Sequence, residues 1–175
     1  MRLLALTMTL AMTVMPAASQ TTAQKPAFKT FTNRAGWSIQ YPANWKVGSC
    51  HSCLDPAEGS VFVTFRNPDR PENFVMIEHL ASKPAGETVE HWLEKMSQNP
   101  NPRMSQERLL IDGMPALKVR SRSSVGRAFE TVFIIRNSDT FSIEIVDDKA
   151  GERIQAMSIY PIYQHMLSTF KFTRK

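Results

Sequence analysis

Phe129-Glu130-Thr131-Val132-Phe133-Ile134-Ile135-Arg136 runs into Asn137-Ser138-Asp139 and then into Phe141-Ser142-Ile143-Glu144-Ile145-Val146. In the second run Phe141, Ile143 and Ile145 alternate with Ser142 and Glu144, the period of two that marks a half-buried strand with a core face and an outward face. Two such runs joined by a short polar turn are a β-hairpin. The same grammar recurs upstream, where Arg108–Ile111 passes through Asp112-Gly113 into Ala116–Arg122. Met114-Pro115 imply a turn looser than the two-residue kind. Further back, Val61, Val63 and Phe65 oppose Thr64 and Arg66, and Asn67–Pro71 is turn chemistry. Phe74–Leu80 follows with Val75 and Ile77 on one face, and Trp37-Ser38-Ile39-Gln40-Tyr41 alternates before Pro42 ends it. Trp45 and Val47 repeat the alternation briefly.

Two segments carry helical spacing instead. Val89, Trp92, Leu93 and Met96 fall at i, i+3, i+4 and i+7, with Thr88 as N-cap, Glu87 and Glu90 at the start and Lys95 near the end. Asn99-Pro100-Asn101-Pro102 stops that helix. Pro161 opens the other, whose stripe is Ile162, Tyr163, Met166, Thr169 and Phe170, and Thr169–Phe172 closes the chain as a short strand. Strands outnumber helices and hairpins join most of them. The expected fold class is α+β, with a central antiparallel β-sheet flanked by helices.

The first residues read as an export signal. Arg2 precedes an apolar stretch from Leu3 to Val14, and Pro16-Ala17-Ala18-Ser19 supplies small side chains for a peptidase. Residues 1–19 are expected to be a cleavable signal peptide, 20–27 a flexible lead-in and 28–175 a single domain. The apolar stretch is shorter than the roughly 20 residues that span a bilayer, and no other segment approaches that length, so no transmembrane span is expected. Cys50 and Cys53 are the only cysteines, which leaves none beside the cleavage site for lipid attachment. The mature chain is therefore expected in the periplasm or secreted. Its formal net charge of +5 includes Arg2. Such a mild excess suits a soluble protein and does not call for nucleic acid.

Gly36-Trp37-Ser38-Ile39-Gln40-Tyr41-Pro42, followed by Asn44-Trp45, resembles the opening of the PsbP-like family, the extrinsic lumenal subunits of photosystem II and their relatives. Ile111-Asp112-Gly113 through Ala116 is similar to that family's central hairpin, and Leu167–Phe172 to its closing helix-to-strand corner. The resemblance runs in order from about Phe28 to the end. It implies an α/β/α-like sandwich around an antiparallel sheet. Photosynthetic members dock on a membrane complex and help it retain calcium and chloride. The shared motif carries no catalytic residues, so Tyr41, Pro42 and Trp45 are read as packing and turn residues.

Cys50-His51-Ser52-Cys53 departs from the family pattern and admits three readings. An exported chain with two cysteines supports a disulfide closing a tight loop. A Cys-x-x-Cys pair also does redox work where a cation or helix end lowers a thiol pKa. Cys50, His51 and Cys53 are also soft ligands suited to copper or zinc, needing a fourth from elsewhere. The second feature is basic: Lys118, Arg120 and Arg122 share a strand face, with Arg127 and Arg136 from the neighbouring hairpin. That row reads as a solvated face paired to Glu130 and Glu144, or as a docking face for an acidic partner or anionic headgroups. Trp92 and Met96 read as core, or as the lining of a ligand pocket between helix and sheet. His51, His79, His91 and His165 are scattered, Asp147-Asp148 lacks further oxygen ligands, and neither a nucleophile elbow nor a glycine-rich phosphate loop is present.

With no catalytic constellation and no cofactor motif, the expected function is a non-enzymatic periplasmic or secreted binding or assembly module that contacts another envelope protein through its sheet face or an edge. The alternative is a small thiol-redox or copper- or zinc-handling protein acting through the Cys50–Cys53 loop.

Overall fold

The computed structural model describes residues 26–48, 62–80, 83–96, 103–146 and 157–173. The expected signal peptide, the Cys50–Cys53 loop and Asp147-Asp148 lie outside the described residues. Among the described residues, ten strands and two helices follow the order β1 (Phe28–Asn33), β2 (Trp37–Pro42), β3 (Lys46–Gly48), β4 (Phe62–Asn67), β5 (Arg70–His79), α1 (Val89–Met96), β6 (Arg103–Ile111), β7 (Met114–Arg122), β8 (Ala128–Arg136), β9 (Asp139–Val146), α2 (Tyr160–Thr169) and β10 (Lys171–Phe172).

The strands form two antiparallel sheets, where one central sheet was expected. β1, β2 and β10 make a three-stranded sheet, and the other seven run in the order β3-β4-β5-β9-β8-β7-β6. The aromatic strand from Trp37 to Tyr41 is thus outside the large sheet. It becomes the middle of a small one that packs on it, because β10 returns from α2 to pair antiparallel with Trp37 and Ser38. The result is a sheet-dominated fold, in which a small sheet shares with α2 the task of covering the large one.

Strand parity decides what the core contains. Val63 and Phe65 on β4, Val75 and Ile77 on β5, Phe141, Ile143 and Ile145 on β9, Val132 and Ile134 on β8 and Ala116 on β7 fall on one face of the large sheet. All are buried in a single cluster with Trp37, Ile39 and Tyr41 of the small sheet and Tyr163, Met166 and Leu167 of α2. Phe65, fully buried, meets Tyr41 at 4.9 Å and Phe31 edge-on at 5.6 Å, and so joins the two sheets. On α2 the buried stripe takes in Leu167, while Thr169 is only partly covered and accepts a hydrogen bond from the Gln40 N–H at 3.2 Å.

The opposite face is less solvated than alternation implied. Ser142, Thr64 and Ser121 are buried there. The chain leaves β5 near the middle of the sheet and re-enters at the far edge as β6. α1 lies on that crossover. Its Trp92 packs on Leu117, Val119 and Ile135, and the indole N–H donates to Thr140 Oγ1 at 2.6 Å. Trp92 is therefore a core residue with its polar tip satisfied; the Met96 side chain lies outside the described residues. Thr88 caps α1 as expected, its hydroxyl accepting from the His91 N–H at 3.2 Å.

The β6–β7 turn is tighter than Met114-Pro115 implied. Ile111 pairs with Met114, which leaves only Asp112 and Gly113 in the turn, with φ of 51° and 75°. Positive φ at both places matches the twist of the strands they join. Proline fits because its position pairs with Leu110 across the hairpin, beyond the point at which β8 begins to pair with β7 at Ala116. The missing N–H forfeits no bond of the β7–β8 ladder.

Truncating the residue that joins the sheets should be costly. Phe65→Ala is expected to lower unfolding free energy by about 3–5 kcal/mol, read from urea melts. Leu110→Ala, at a position 70% exposed, is expected to stay within about 0.5 kcal/mol of the parent.

Candidate functional site: the charged row under the second helix

Lys118, Arg120 and Arg122 share a strand face, as their spacing requires, and that face is the covered one. Cross-strand partners lie on the same side of a sheet, and here Lys118 stands opposite Val132, Arg120 opposite Glu130 and Arg122 opposite Ala128. The same row therefore carries both charge and core. Reading it as a solvated face missed that the charged residues continue the line of Ala116, Val132 and Ile134.

Glu130 is the centre of the cluster. It is 0% exposed, and its Oε2 accepts from Arg120 Nε at 2.6 Å. The Arg120 Nη2 also donates to the hydroxyl of Tyr160 on α2 at 3.3 Å, and that hydroxyl donates to Glu130 Oε2 at 3.4 Å. Two strands and a helix are thereby tied at one carboxylate. Charge-assisted bonds of this kind are the strong ones, and low dielectric strengthens them further. Burial depresses the Arg120 guanidinium, but bonding to Glu130 and its charge outweigh this, and its pKa ends above the ordinary value. Burial first and the Glu130 charge second raise Tyr160. The same two causes lift the fully buried Tyr163 well above an ordinary phenol. Both phenols therefore stay protonated at neutral pH; Tyr160 donates to Glu130, whereas the buried Tyr163 hydroxyl has no hydrogen-bond partner among the described residues.

The remaining basic residues are also engaged. Lys118 Nζ pairs with Glu107 Oε2 at 2.5 Å, and this bond, then the Lys118 charge, lowers the Glu107 carboxyl. Arg122 Nη1 donates to the Gly126 carbonyl at 2.6 Å inside the β7–β8 hairpin. Arg127 is exposed in that hairpin, and its N–H donates to Ser123 Oγ. Arg136, at the other end of β8, lies over the Phe172 ring at 4.8 Å. The five basic residues are thus distributed along the sheet, and of them Arg120 bonds to the polar cluster beside α2.

Glu144, named beside Glu130 as a partner for this row, sits on the opposite face. Its Oε2 accepts from Thr131 Oγ1 at 2.8 Å. Desolvation raises its pKa, the Thr131 bond opposes that, and the Glu78 charge raises it further. Desolvation raises Glu78 as well. The histidines stay apart: His79 lies 3.4 Å from Asp139 and stacks on Phe141, His91 lies 3.3 Å from Glu87, and His165 sits against Phe28 and Gln40. Sequence reasoning had listed Glu130 as a surface partner and had not included Tyr160. The signal for Glu130 was present, since it precedes Val132 and Ile134 at intervals of two. The signal for Tyr160 was not, because nothing local says where α2 lands.

Two predictions follow from the charges. Breaking the buried pair from one side, with Glu130→Leu or Arg120→Met, should cost about 3–5 kcal/mol, and the double variant should be less destabilised than either single one; chemical denaturation of the four proteins completes the cycle. A raised carboxyl contributes stability that is full below the ordinary carboxylate range and lost as pH climbs through the folded value. Glu144→Gln should therefore melt above the parent at pH 7, and the difference should close below about pH 4.

No protein family's sequence model matches this chain, and no curated protein matches its sequence. Solved structures do match it. Cyanobacterial PsbP from Synechocystis is 12% identical over 90% of this chain and 99% of its own, with a TM-score of 0.57. A Bacteroides thetaiotaomicron protein is 15% identical over 84% of this chain, with a TM-score of 0.53, and this chain spans 48% of its length. A Pseudomonas aeruginosa protein of unknown function is 13% identical over 85% of this chain and 98% of its own, with a TM-score of 0.50. Likeness at such identities establishes the fold, and that fold is PsbP-like.

Proposed function

We propose that this chain is a non-enzymatic binding or assembly module of the cell envelope that docks on another exported protein through the outer edge of its large sheet. The observation that carries this reading is β6. Among the described residues it is the terminal strand of the sheet, nine residues long, and pairs with β7. Ser105 to Arg108 and Leu110 are exposed, with Leu110 at 70%. The other edge strand, β3, has three residues. A long edge offers unpaired backbone groups to another chain.

The interior cluster supports the same reading. Arg120, Glu130 and Tyr160 bond one another across the α2 contact, which is a positioning arrangement that leaves the surface to do the recognising. The resemblance to docking subunits and the expected export signal support an envelope location.

The test is a photo-crosslinking side chain installed at Leu110 or, as a control, at exposed Glu72 on β5, in cells that produce the chain. A discrete adduct with one exported protein, formed from position 110 and absent from position 72, is expected. No adduct, or the same set from both positions, would overturn the proposal.

A further inference from the structure

Two buried polar atoms beside α2, Glu130 Oε1 and the Tyr163 hydroxyl, have no hydrogen-bond partner among the described residues. From their chemistry and position we infer a binding site for a single internal water, which accepts from the Tyr163 hydroxyl and donates to Glu130 Oε1. This goes beyond the docking reading and does not depend on it.

Both side chains are 0% exposed, so neither atom reaches bulk solvent. Glu130 enters from β8, on the core face it shares with Val132 and Ile134. Tyr163 enters from α2, about one turn beyond Tyr160, and the centroids of the two tyrosine rings are 6.0 Å apart. Tyr160 places its hydroxyl 3.4 Å from Glu130 Oε2. The second oxygen of a carboxylate that α2 already reaches is therefore the unbonded one. The Glu130 charge is, after burial, the next cause of the raised Tyr163 phenol, which accords with their closeness.

Buried polar groups are as a rule bonded, and those without a protein partner hold an ordered water. Such a water needs roughly two to four polar partners. Tyr163 and Glu130 Oε1 supply two. The Tyr160 oxygen accepts from Arg120 at 3.3 Å and keeps a second lone pair for a third. Other occupants have the wrong chemistry. An added cation would crowd the Arg120 guanidinium, which already bonds Glu130 Oε2 at 2.6 Å. An anion would face the carboxylate. An apolar guest would leave both atoms unbonded in a low-dielectric interior. The occupant is therefore small, neutral, and both donor and acceptor.

The site gives the Tyr163 hydroxyl a task that packing does not. Both α2 tyrosines then hold one carboxylate, Tyr160 directly and Tyr163 by relay, and a bridged bond is enthalpically close to a direct one. A water enclosed under α2 leaves only when α2 lifts, so it stays far longer than surface water.

Oxygen-17 magnetic relaxation dispersion on the purified protein counts such long-lived waters. Tyr163→Phe removes only the hydroxyl and should lower the count by one, while Leu110→Ala, on the exposed edge, should leave it unchanged. A high-resolution crystal structure of the parent should show one oxygen within about 3.2 Å of both Glu130 Oε1 and Tyr163 Oη. An equal count in the parent and Tyr163→Phe would overturn the inference, and so would a count that Leu110→Ala lowers equally. A direct Tyr163–Glu130 bond in the crystal, or an ion at that place, would overturn it too. Should Tyr163→Phe fail to fold, the parent's crystal structure decides alone.

Discussion

The inner face of the seven-stranded sheet is the surface against which the rest of the molecule is assembled. Alternation on β4, β5, β9 and β8 sends Phe65, Ile77, Ile143, Ile145 and Ile134 to one side, all at 1% exposure or less. That much apolar surface must be covered, and burial of apolar area is the dominant favourable contribution to folding. The chain covers it twice over, with β2 of the small sheet and with α2, and joins the two covers by the Gln40–Thr169 bond and the β10–β2 pairing. Phe65 touches the small sheet through Tyr41 and Phe31. Losing its ring would remove these contacts between the sheets as well as open a cavity.

The charged row is intelligible only within that arrangement. A carboxylate with no exposure is costly unless paired and bonded. Glu130 is paired with Arg120 and bonded to Tyr160 through Oε2, which offsets part of its cost where β7, β8 and α2 meet, while Oε1 has no hydrogen-bond partner among the described residues. An apolar contact tolerates sliding, whereas a charged contact with fixed geometry does not. The cluster thus supplies positional definition to α2, which in turn delivers β10 to the small sheet.

Much of this was legible in the residues. The period of two from Phe129 to Val146 marks the hairpin, Asp112-Gly113 marks its neighbour, and Thr88 marks the start of α1. The PsbP-like fold was legible in Trp37–Pro42 and Leu167–Phe172. The partition into two sheets was not, because strand pairing between β2 and β10 joins positions more than a hundred residues apart, and alternation says nothing of the partner. The Asp112-Gly113 turn was tighter than Met114-Pro115 suggested, since proline is costly only where its N–H is needed. Lys118, Arg120 and Arg122 were legible as a row, but which face they share with the core depends on counting through Ala116 on one strand and Val132 on the next. The Leu110 edge was not legible at all: exposure of an edge residue depends on which strand ends the sheet, and that is a property of the whole topology.

The account joins a sealed inner face to an open β6 edge, and amide hydrogen exchange on the free protein addresses both at once. It predicts slow exchange along β5, β8 and β9 and for Ile39 and Gln40 in the small sheet, with fast exchange at Arg108 and Leu110 while Glu107 and Leu109 are protected. Uniform protection along β6, or rapid exchange at Ile39 and Gln40, would contradict it.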